Sequence, residues 1–352
     1  MADPHEVYMR RCLELAQLGA GFVAPNPMVG AVLVHNNKII GEGWHRQYGG
    51  PHAEVNCINS VINADQVLIP VSTLYVSLEP CAHYGKTAPC TKLIIERQIK
   101  RLVIGCRDPF EAVNGKGIEQ LQKAGVEVIV NVLEKECMAL NRRFFNFHQL
   151  HRPYIVLKWA QTADGFIASG ISDRLLITHS DTNRLVHQWR SKESAILVGT
   201  ETALKDDPSL TNRLWYGKNP LRMLIDRNLR LPASLTMYND GHPVIVFSEK
   251  KEGQEGAIKY IKVNKTLSVI HQILAYCYEQ QIQSILVEGG GALLASFLQE
   301  GYWDELRTIT NLKMKTGVGL RAPELPVATV SKTTHIHSDE IRFYYNDQSF
   351  AV

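Results

Sequence analysis

Apolar residues recur at helical spacing near the start of the chain, at Met9, Cys12, Leu13 and Ala16, between the Asp3-Pro4 pair and the glycines at 19 and 21. Aspartate is a suitable cap and proline a suitable first-turn residue, so an amphipathic helix is expected there. The apolar run 29–35 then reads as a buried strand, Asn36-Asn37 as a turn able to adopt positive φ, and 38–44 as the returning strand. Further strands are expected at 73–78, 101–106 and 126–130, with helices at 53–64, 90–97 and 117–124. The order helix, hairpin, helix, strand, helix, strand, helix, strand predicts a layered α/β domain closing near residue 145. The stretch 145–153 reads as a connection.

A second α/β alternation follows. Strands are expected at 154–159, 195–198, 222–225, 244–247, 284–287 and 305–310, helices at 181–190, 267–279 and 292–298, and a closing strand at 341–345. With no internal repeat, two unlike domains are expected, 1–148 and 149–352.

Composition narrows this picture without redirecting it. The 352 residues suit two domains at ~100–200 residues each. Hydrophobic residues at 45% and charged residues at 21% exclude disordered and fibrous classes. A formal charge of +3 is too small a surplus to require nucleic acid or an anionic membrane as partner. No apolar run approaches bilayer length, and the acidic, polar start carries no export signal, so a soluble cytoplasmic protein is expected. Seven cysteines, an odd number in such a chain, argue against a disulfide framework.

Two of those cysteines have chemical surroundings. Pro51-His52-Ala53-Glu54 is followed by Glu79-Pro80-Cys81 and then by Pro89-Cys90. One imidazole and two thiolates suit Zn²⁺, which in catalytic sites keeps a fourth position for water and lowers its pKa toward neutrality. Helix starts after each ligand would favour the thiolates. Glu54, two residues after His52, can take the water's proton and return it to a leaving amine. The bland alternative is a satisfied histidine and packed thiols.

The order His-x-Glu, Pro-Cys, Cys is that of the zinc-dependent nucleobase deaminases, except that eight residues separate Cys81 and Cys90 where that pattern has two. The enlarged loop Ala82-His83-Tyr84-Gly85-Lys86-Thr87-Ala88-Pro89, with Pro25-Asn26-Pro27-Met28-Val29-Gly30, Asp108-Pro109 and Gly115-Lys116-Gly117, closely resembles the deaminase half of the bifunctional riboflavin-biosynthesis deaminase/reductases. That resemblance implies a cytidine-deaminase-like three-layer domain, and makes Asn26, His45, His83 and Lys86 substrate-binding candidates. Lys86 offers a cation for phosphate and Asn26 both a donor and an acceptor. Each is otherwise a solvated polar loop residue.

The second half has no Gly-x-Gly-x-x-Gly after a strand, so a Rossmann dinucleotide site has no support. Three clusters stand out instead: Lys158-Trp159-Ala160-Gln161-Thr162-Ala163-Asp164-Gly165, Asp206-Asp207-Pro208-Ser209-Leu210-Thr211-Asn212-Arg213 and Val287-Glu288-Gly289-Gly290-Gly291-Ala292-Leu293-Leu294. Three glycines before a helix permit close backbone approach, and N–H groups at a helix start bind phosphate. Glu288 would accept bonds from sugar hydroxyls. A strand-to-helix turn also uses glycine, and Asp206-Asp207 before proline also suits a turn and cap.

In this order the clusters resemble the reductase half of the same family, implying a dihydrofolate-reductase-like domain that uses NADPH. By that resemblance Ala160, Thr202, Asp206, Gly290, Gly291, Ala292, Leu293, Leu294, Ala295 and Ser296 contact the cofactor, and Arg190, Leu210, Arg213 and Glu288 the substrate. Asp206 would also assist proton transfer, and the two arginines would suit a ribose phosphate. Many members carry Ser-x-Trp-Ile-[Ser/Thr] before the helix near 181; here Leu176 stands where the tryptophan is expected, and Ser172 or Arg174 are alternative phosphate contacts.

The implied protein removes an amine from a ribosylated diaminopyrimidinone phosphate with Zn²⁺ and Glu54, then reduces the ribosyl group with NADPH. A homo-oligomer is expected, with a small phosphorylated pyrimidine as substrate. A tRNA or nucleoside deaminase would instead show the short cysteine spacing and a basic, aromatic groove. A zinc-stabilised scaffold would need neither Glu54 nor the glycine run.

Overall fold

Helix α1 (Pro4–Gln17) begins where Asp3 accepts a hydrogen bond from His5 N at 2.9 Å, and it buries the predicted stripe of Met9, Cys12, Leu13 and Ala16. The computed structural model describes residues 3–82, 84, 88–169 and 175–346. Strands β1 (Gly30–His35) and β2 (Lys38–Trp44) pair antiparallel about Asn36 and Asn37, whose φ values are +46° and +63°. A Cβ on Gly30 would lie 2.0 Å from the Cys12 carbonyl oxygen, and one on Gly43 2.2 Å from Cys57 N. Those two glycines let α1 and α2 (Ala53–Asn59) lie close on the hairpin.

The helix expected at 53–64 stops earlier than its apolar pattern suggests. Ser60 Oγ donates to Cys57 O at 2.7 Å and accepts from Glu42 N at 2.8 Å, closing α2 before a 3-10 turn at Asn63–Val71. Then come β3 (Thr73–Leu78), α3 (Cys90–Glu96), β4 (Arg101–Cys106), α4 (Lys116–Lys123), β5 (Glu127–Ile129), α5 (Glu134–Leu140) and α6 (Arg142–Leu150). The sheet runs β2-β1-β3-β4-β5, with β3, β4 and β5 parallel. Leu33, Leu74, Val76, Leu102 and Ile104 pack under Cys57, Ile58, Ile94 and Leu121 of α2, α3 and α4. Helix α1 covers the opposite face, with the Cys12 thiol donating to Tyr75 O, which makes three layers.

The stretch expected as a connection is helical through Leu150, because Phe144, Phe145 and Phe147 are buried on α6. The chain divides into two compact units, one ending at His151 and the other beginning at Arg152.

The second unit contains β6 (Tyr154–Thr162), β7 (Phe166–Ser169), α7 (Ser180–Lys192), β8 (Ala195–Gly199), α8 (Thr200–Asp206), β9 (Leu221–Ile225), α9 (Thr236–Asn239) and β10 (Val244–Ser248). It continues with β11 (Gly253–Glu255), β12 (Ile258–Lys262), α10 (Val269–Glu279), β13 (Ser284–Val287), α11 (Gly291–Gln299), β14 (Glu305–Asn311), β15 (Gly319–Arg321), β16 (Val330–Ile336) and β17 (Asp339–Tyr345). The large sheet has the order β11-β12-β10-β9-β8-β13-β6-β14-β17-β16, parallel from β12 to β14 and antiparallel at both edges.

Both faces of the parallel strands are covered, which is why they read as unbroken apolar runs. Ile155, Leu157, Leu197, Met223 and Phe247 pack under α10 and α11, while Val156, Ile196, Val198, Leu224 and Val246 pack toward α8 and α9. In open α/β sheets ligands bind beyond the carboxyl ends of the strands where strand order reverses. Here β6, β8 and β13 are neighbours, and their ends lead into the three clusters singled out in the sequence. No described helix is long and apolar enough to cross a membrane.

Candidate active sites

In the first unit α2 and α3 aim their N-terminal ends at one point. His52 caps α2, Cys90 opens α3, and Cys81 follows β3 in the turn begun by Glu79-Pro80. His52 Nδ1 lies 3.5 Å from Cys81 Sγ and 3.3 Å from Cys90 Sγ. Donors on the edge of a zinc tetrahedron are about 3.5 Å apart given Zn–S and Zn–N bonds of roughly 2.3 and 2.0 Å. The three groups therefore fit Zn²⁺ in chemistry and in spacing, and this His/Cys triad supports a zinc site.

The hydrogen bond from Cys90, then that with His52, pulls the Cys81 thiol down to about 4. Cys90, bonded to Cys81 and buried, is pushed up. Glu54, in the first turn of α2, is 3% exposed, and burial raises its carboxyl above the usual range despite the nearby His52. A carboxylate displaced in that direction is suited to exchanging a proton near neutral pH.

Asn26 and His45 stand beside this cluster. The His45 ring meets that of His52 edge-on at 5.4 Å, donates from Nδ1 to Pro51 O at 3.0 Å, and accepts at Nε2 from Asn26 Nδ2 at 3.1 Å. Burial lowers the His45 pKa, which keeps the ring neutral and in that tautomer. Asn26 is thus oriented with its Oδ1 left for another donor. His83 and Lys86 lie outside the described residues.

Glu79, two residues before Cys81, holds the motif in place. Its buried carboxylate accepts from Asp108 N, Gly115 N, Gly117 N and Ile118 N at 3.0–3.3 Å. A Cβ on Gly117 would lie 2.2 Å from Pro80 O. The Gly115-Lys116-Gly117 motif and Glu79 therefore form one clasp that fixes the Cys81 turn against the start of α4. Burial lifts the neighbouring Asp108 carboxyl to about 7.

In the second unit a cleft of about 710 Å³ opens at the ends of β6, β8 and β13. Its walls include Ala160, Thr202, Asp206, Arg190, Leu210, Arg213, Glu288, Gly290, Gly291 and Leu294 from the predicted set. Ala292, Leu293, Ala295 and Ser296 lie further along α11 and are not among its lining residues. Gly290 adopts φ +69°, and a Cβ on Gly289 would lie 2.9 Å from the Thr202 side chain, so glycine lets this turn pack closely on Thr202 at the edge of the cleft.

The adjacent aspartates separate in role. Asp207 accepts from Thr236 N at 2.8 Å and Thr236 Oγ1 at 2.6 Å, a structural turn, whereas Asp206 lines the cleft. Leu176 also lines it and is 70% exposed, while Ser172 and Arg174 lie outside the described residues.

Glu288 lines the cleft in an ion pair. Arg190 Nε and Nη2 each donate to its carboxylate at 2.8 Å, and Lys158 Nζ lies 3.8 Å away. Burial opposes the charge, but the Arg190 and Lys158 cations outweigh it and hold the Glu288 carboxyl at about 2. Arg190 also donates from Nη1 to Thr211 O at 3.2 Å, so three of its five N–H groups are engaged within the protein. Two further residues, Lys158 and His187, complete the wall. Lys158, whose pKa burial lowers, joins the Glu288 pair, and His187 accepts from Arg213 N at 2.9 Å, which sets the Arg213 loop. Burial, then Arg190 and Arg213, depress the His187 ring to about 4, so it serves as a neutral acceptor.

A three-layer unit with a His/Cys triad beside a buried glutamate, joined to a doubly wound unit with a glycine-edged cleft, defines the class: a zinc-dependent deaminase fused to a reductase. The model of the cytidine and deoxycytidylate deaminase zinc-binding region matches residues 2–106, and that of the RibD C-terminal domain matches residues 153–313. The chain is 38% identical over 339 residues to the riboflavin biosynthesis protein RibD of Aquifex aeolicus, covering 95% of this chain and 94% of that one. It is also similar to the crystal structure of a diaminohydroxyphosphoribosylaminopyrimidine deaminase/5-amino-6-(5-phosphoribosylamino)uracil reductase from Thermotoga maritima, with a TM-score of 0.89, 38% identity, and coverage of 97% of this chain and 98% of that one. For Acinetobacter baumannii RibD the corresponding values are 0.87, 30%, 97% and 98%. The chain belongs to the RibD family, the bifunctional deaminase/reductases of riboflavin biosynthesis.

Proposed function

We propose that the first unit removes the 2-amino group of 2,5-diamino-6-ribosylamino-4(3H)-pyrimidinone 5′-phosphate, and that the second reduces the ribosyl group of the product to the ribityl form. The observation that carries the first step is the convergence of His52, Cys81 and Cys90 beside the buried Glu54. Zinc bound there supplies a Lewis acid that makes water acidic enough to attack. Glu54 takes the proton of that water and returns it to the departing amine nitrogen, which leaves as ammonia. Asn26, held by His45, meets the pyrimidine edge, and Lys86 and His83 serve the phosphate.

The order of steps follows from chemistry: the reductase activity named for the Thermotoga relative acts on a uracil, which already lacks the 2-amino group. The Gly289–Gly291 backbone and Thr202 would hold NADPH in the cleft, and the bound cofactor would supply the hydride for the ribosyl C1′ carbon. The ring C1′–O bond breaks, its oxygen takes a proton, and Asp206 handles that proton. Arg213, which also lines the cleft, serves the substrate phosphate. The working protein is a homo-oligomer in the cytoplasm.

Asp206→Asn tests the division of labour. It is expected to release ammonia at the unaltered rate while NADPH oxidation falls roughly 10²-fold or more, so that the deaminated, unreduced ribosylaminouracil phosphate accumulates. Loss of ammonia release in this variant would contradict two separate sites.

A further inference from the structure

In the second unit, α7 and the turn between β16 and β17 bring two imidazoles and a carboxylate to one exposed place. His179 caps α7, Asp181 lies in its first turn, and His337 adopts φ +52° in the turn joining Ile336 to Asp339. Asp181 Oδ2 lies 2.8 Å from His337 Nε2 and 3.6 Å from His179 Nδ1. The two rings lie 3.9 Å apart at 40°, and the donor atoms all fall within 4.8 Å of one another. His337 is held by its bond to Asp181, and the His179 ring by its Nδ1, which accepts from Asp181 N at 3.2 Å as the cap of α7. Beneath them Asp339, fully buried, accepts from His179 N at 2.8 Å through Oδ2, while its Oδ1 has no hydrogen-bond partner among the described residues. A buried carboxylate with one oxygen unsatisfied favours a cation nearby.

We propose that His179, Asp181 and His337 form a second metal site, distinct from the His52/Cys81/Cys90 triad, for a divalent transition ion such as Ni²⁺ or Zn²⁺. Nitrogen and oxygen donors without thiolate suit those ions, and exposure leaves room for water to complete the shell. Donors on a common ion at about 2.0–2.2 Å lie roughly 3 Å apart, so the separations of 2.8 and 3.6 Å from Asp181 to the two imidazoles need only a small closure. His179 directly follows residues 175–178, which line the reductase cleft. An ion here ties the end of that wall to the β16–β17 turn, acting as a clamp on the cleft.

Nickel titration of the full-length protein loaded with one zinc per chain, the zinc of the His52/Cys81/Cys90 triad, by calorimetry, with released zinc followed by a chromophoric chelator, tests the site. One Ni²⁺ per chain is expected to bind without displacing zinc, and His337→Gln and Asp181→Asn should each weaken it at least tenfold. His179→Gln should do the same. His337 lies in an exposed turn, so an unchanged melting temperature of the metal-free variant will show that the loss is not unfolding. Absence of nickel binding, nickel uptake matched by zinc release, or unaltered affinity in His337→Gln would overturn the site.

Discussion

Glu54→Gln is expected to lower ammonia release by roughly 10²–10⁴-fold, the usual range for removing a general acid/base, while zinc content stays at the wild-type level. Glutamine keeps the shape of the side chain and its place in the first turn of α2 but cannot take a proton from water. Glu54 is not a member of the triad, so the ligands are untouched. Supplying the deaminated intermediate directly should restore NADPH oxidation at the wild-type rate, because Glu54 belongs to the first unit and the cleft to the second. Ammonia release near the wild-type rate would remove Glu54 from the mechanism, and loss of zinc would recast it as a structural support.

The second large effect concerns Glu288→Gln. The substitution leaves Lys158 and Arg190 as buried cations without their carboxylate, and breaking a buried pair by removing one partner costs about 3–5 kcal/mol. The reductase unit should lose that much in urea unfolding, with NADPH oxidation impaired and ammonia release retained. The pH dependence has a definite sign. The folded-state pKa of about 2 lies below the ordinary 4.5, so the pair's contribution is complete above about 4.5 and fades as pH falls toward 2. The stability difference between wild type and variant should therefore shrink on that acid side and stay constant from pH 5 to 7. A difference independent of pH, or equal urea midpoints at pH 7, would mean that the ion pair is not what holds this wall.

What the sequence disclosed follows the range of the interactions. The triad was legible because the prolines, the helix starts and Glu54 sit within a few residues of each ligand. The stripe of α1 and the β1–β2 hairpin were legible because their periodicities are local. Helix α2 was overextended because Ser60 stops it through Glu42, a partner eighteen positions away on β2. Glu79 carried no role because its carboxylate is clasped by backbone N–H groups 29–39 positions further on, and backbone donors leave no side-chain pattern. The glycines at 115 and 117 were the only trace of that clasp. Arg190 and Glu288 were read as separate substrate contacts because 98 positions part them, and only the fold brings them into one ion pair. Lys158 lay in a quoted cluster, yet its place beside Glu288 depends on the adjacency of β6 and β13 in the sheet.

The central claim is that one chain carries out both reactions on one substrate in a fixed order. The direct measurement is incubation of the purified protein with the diaminopyrimidinone ribosyl phosphate, with and without NADPH, following ammonia and the ribityl product separately. One ammonia per substrate is expected in either condition, with NADPH oxidised in equal amount only after deamination. NADPH oxidation that precedes ammonia release, or ammonia release that requires NADPH, would contradict it.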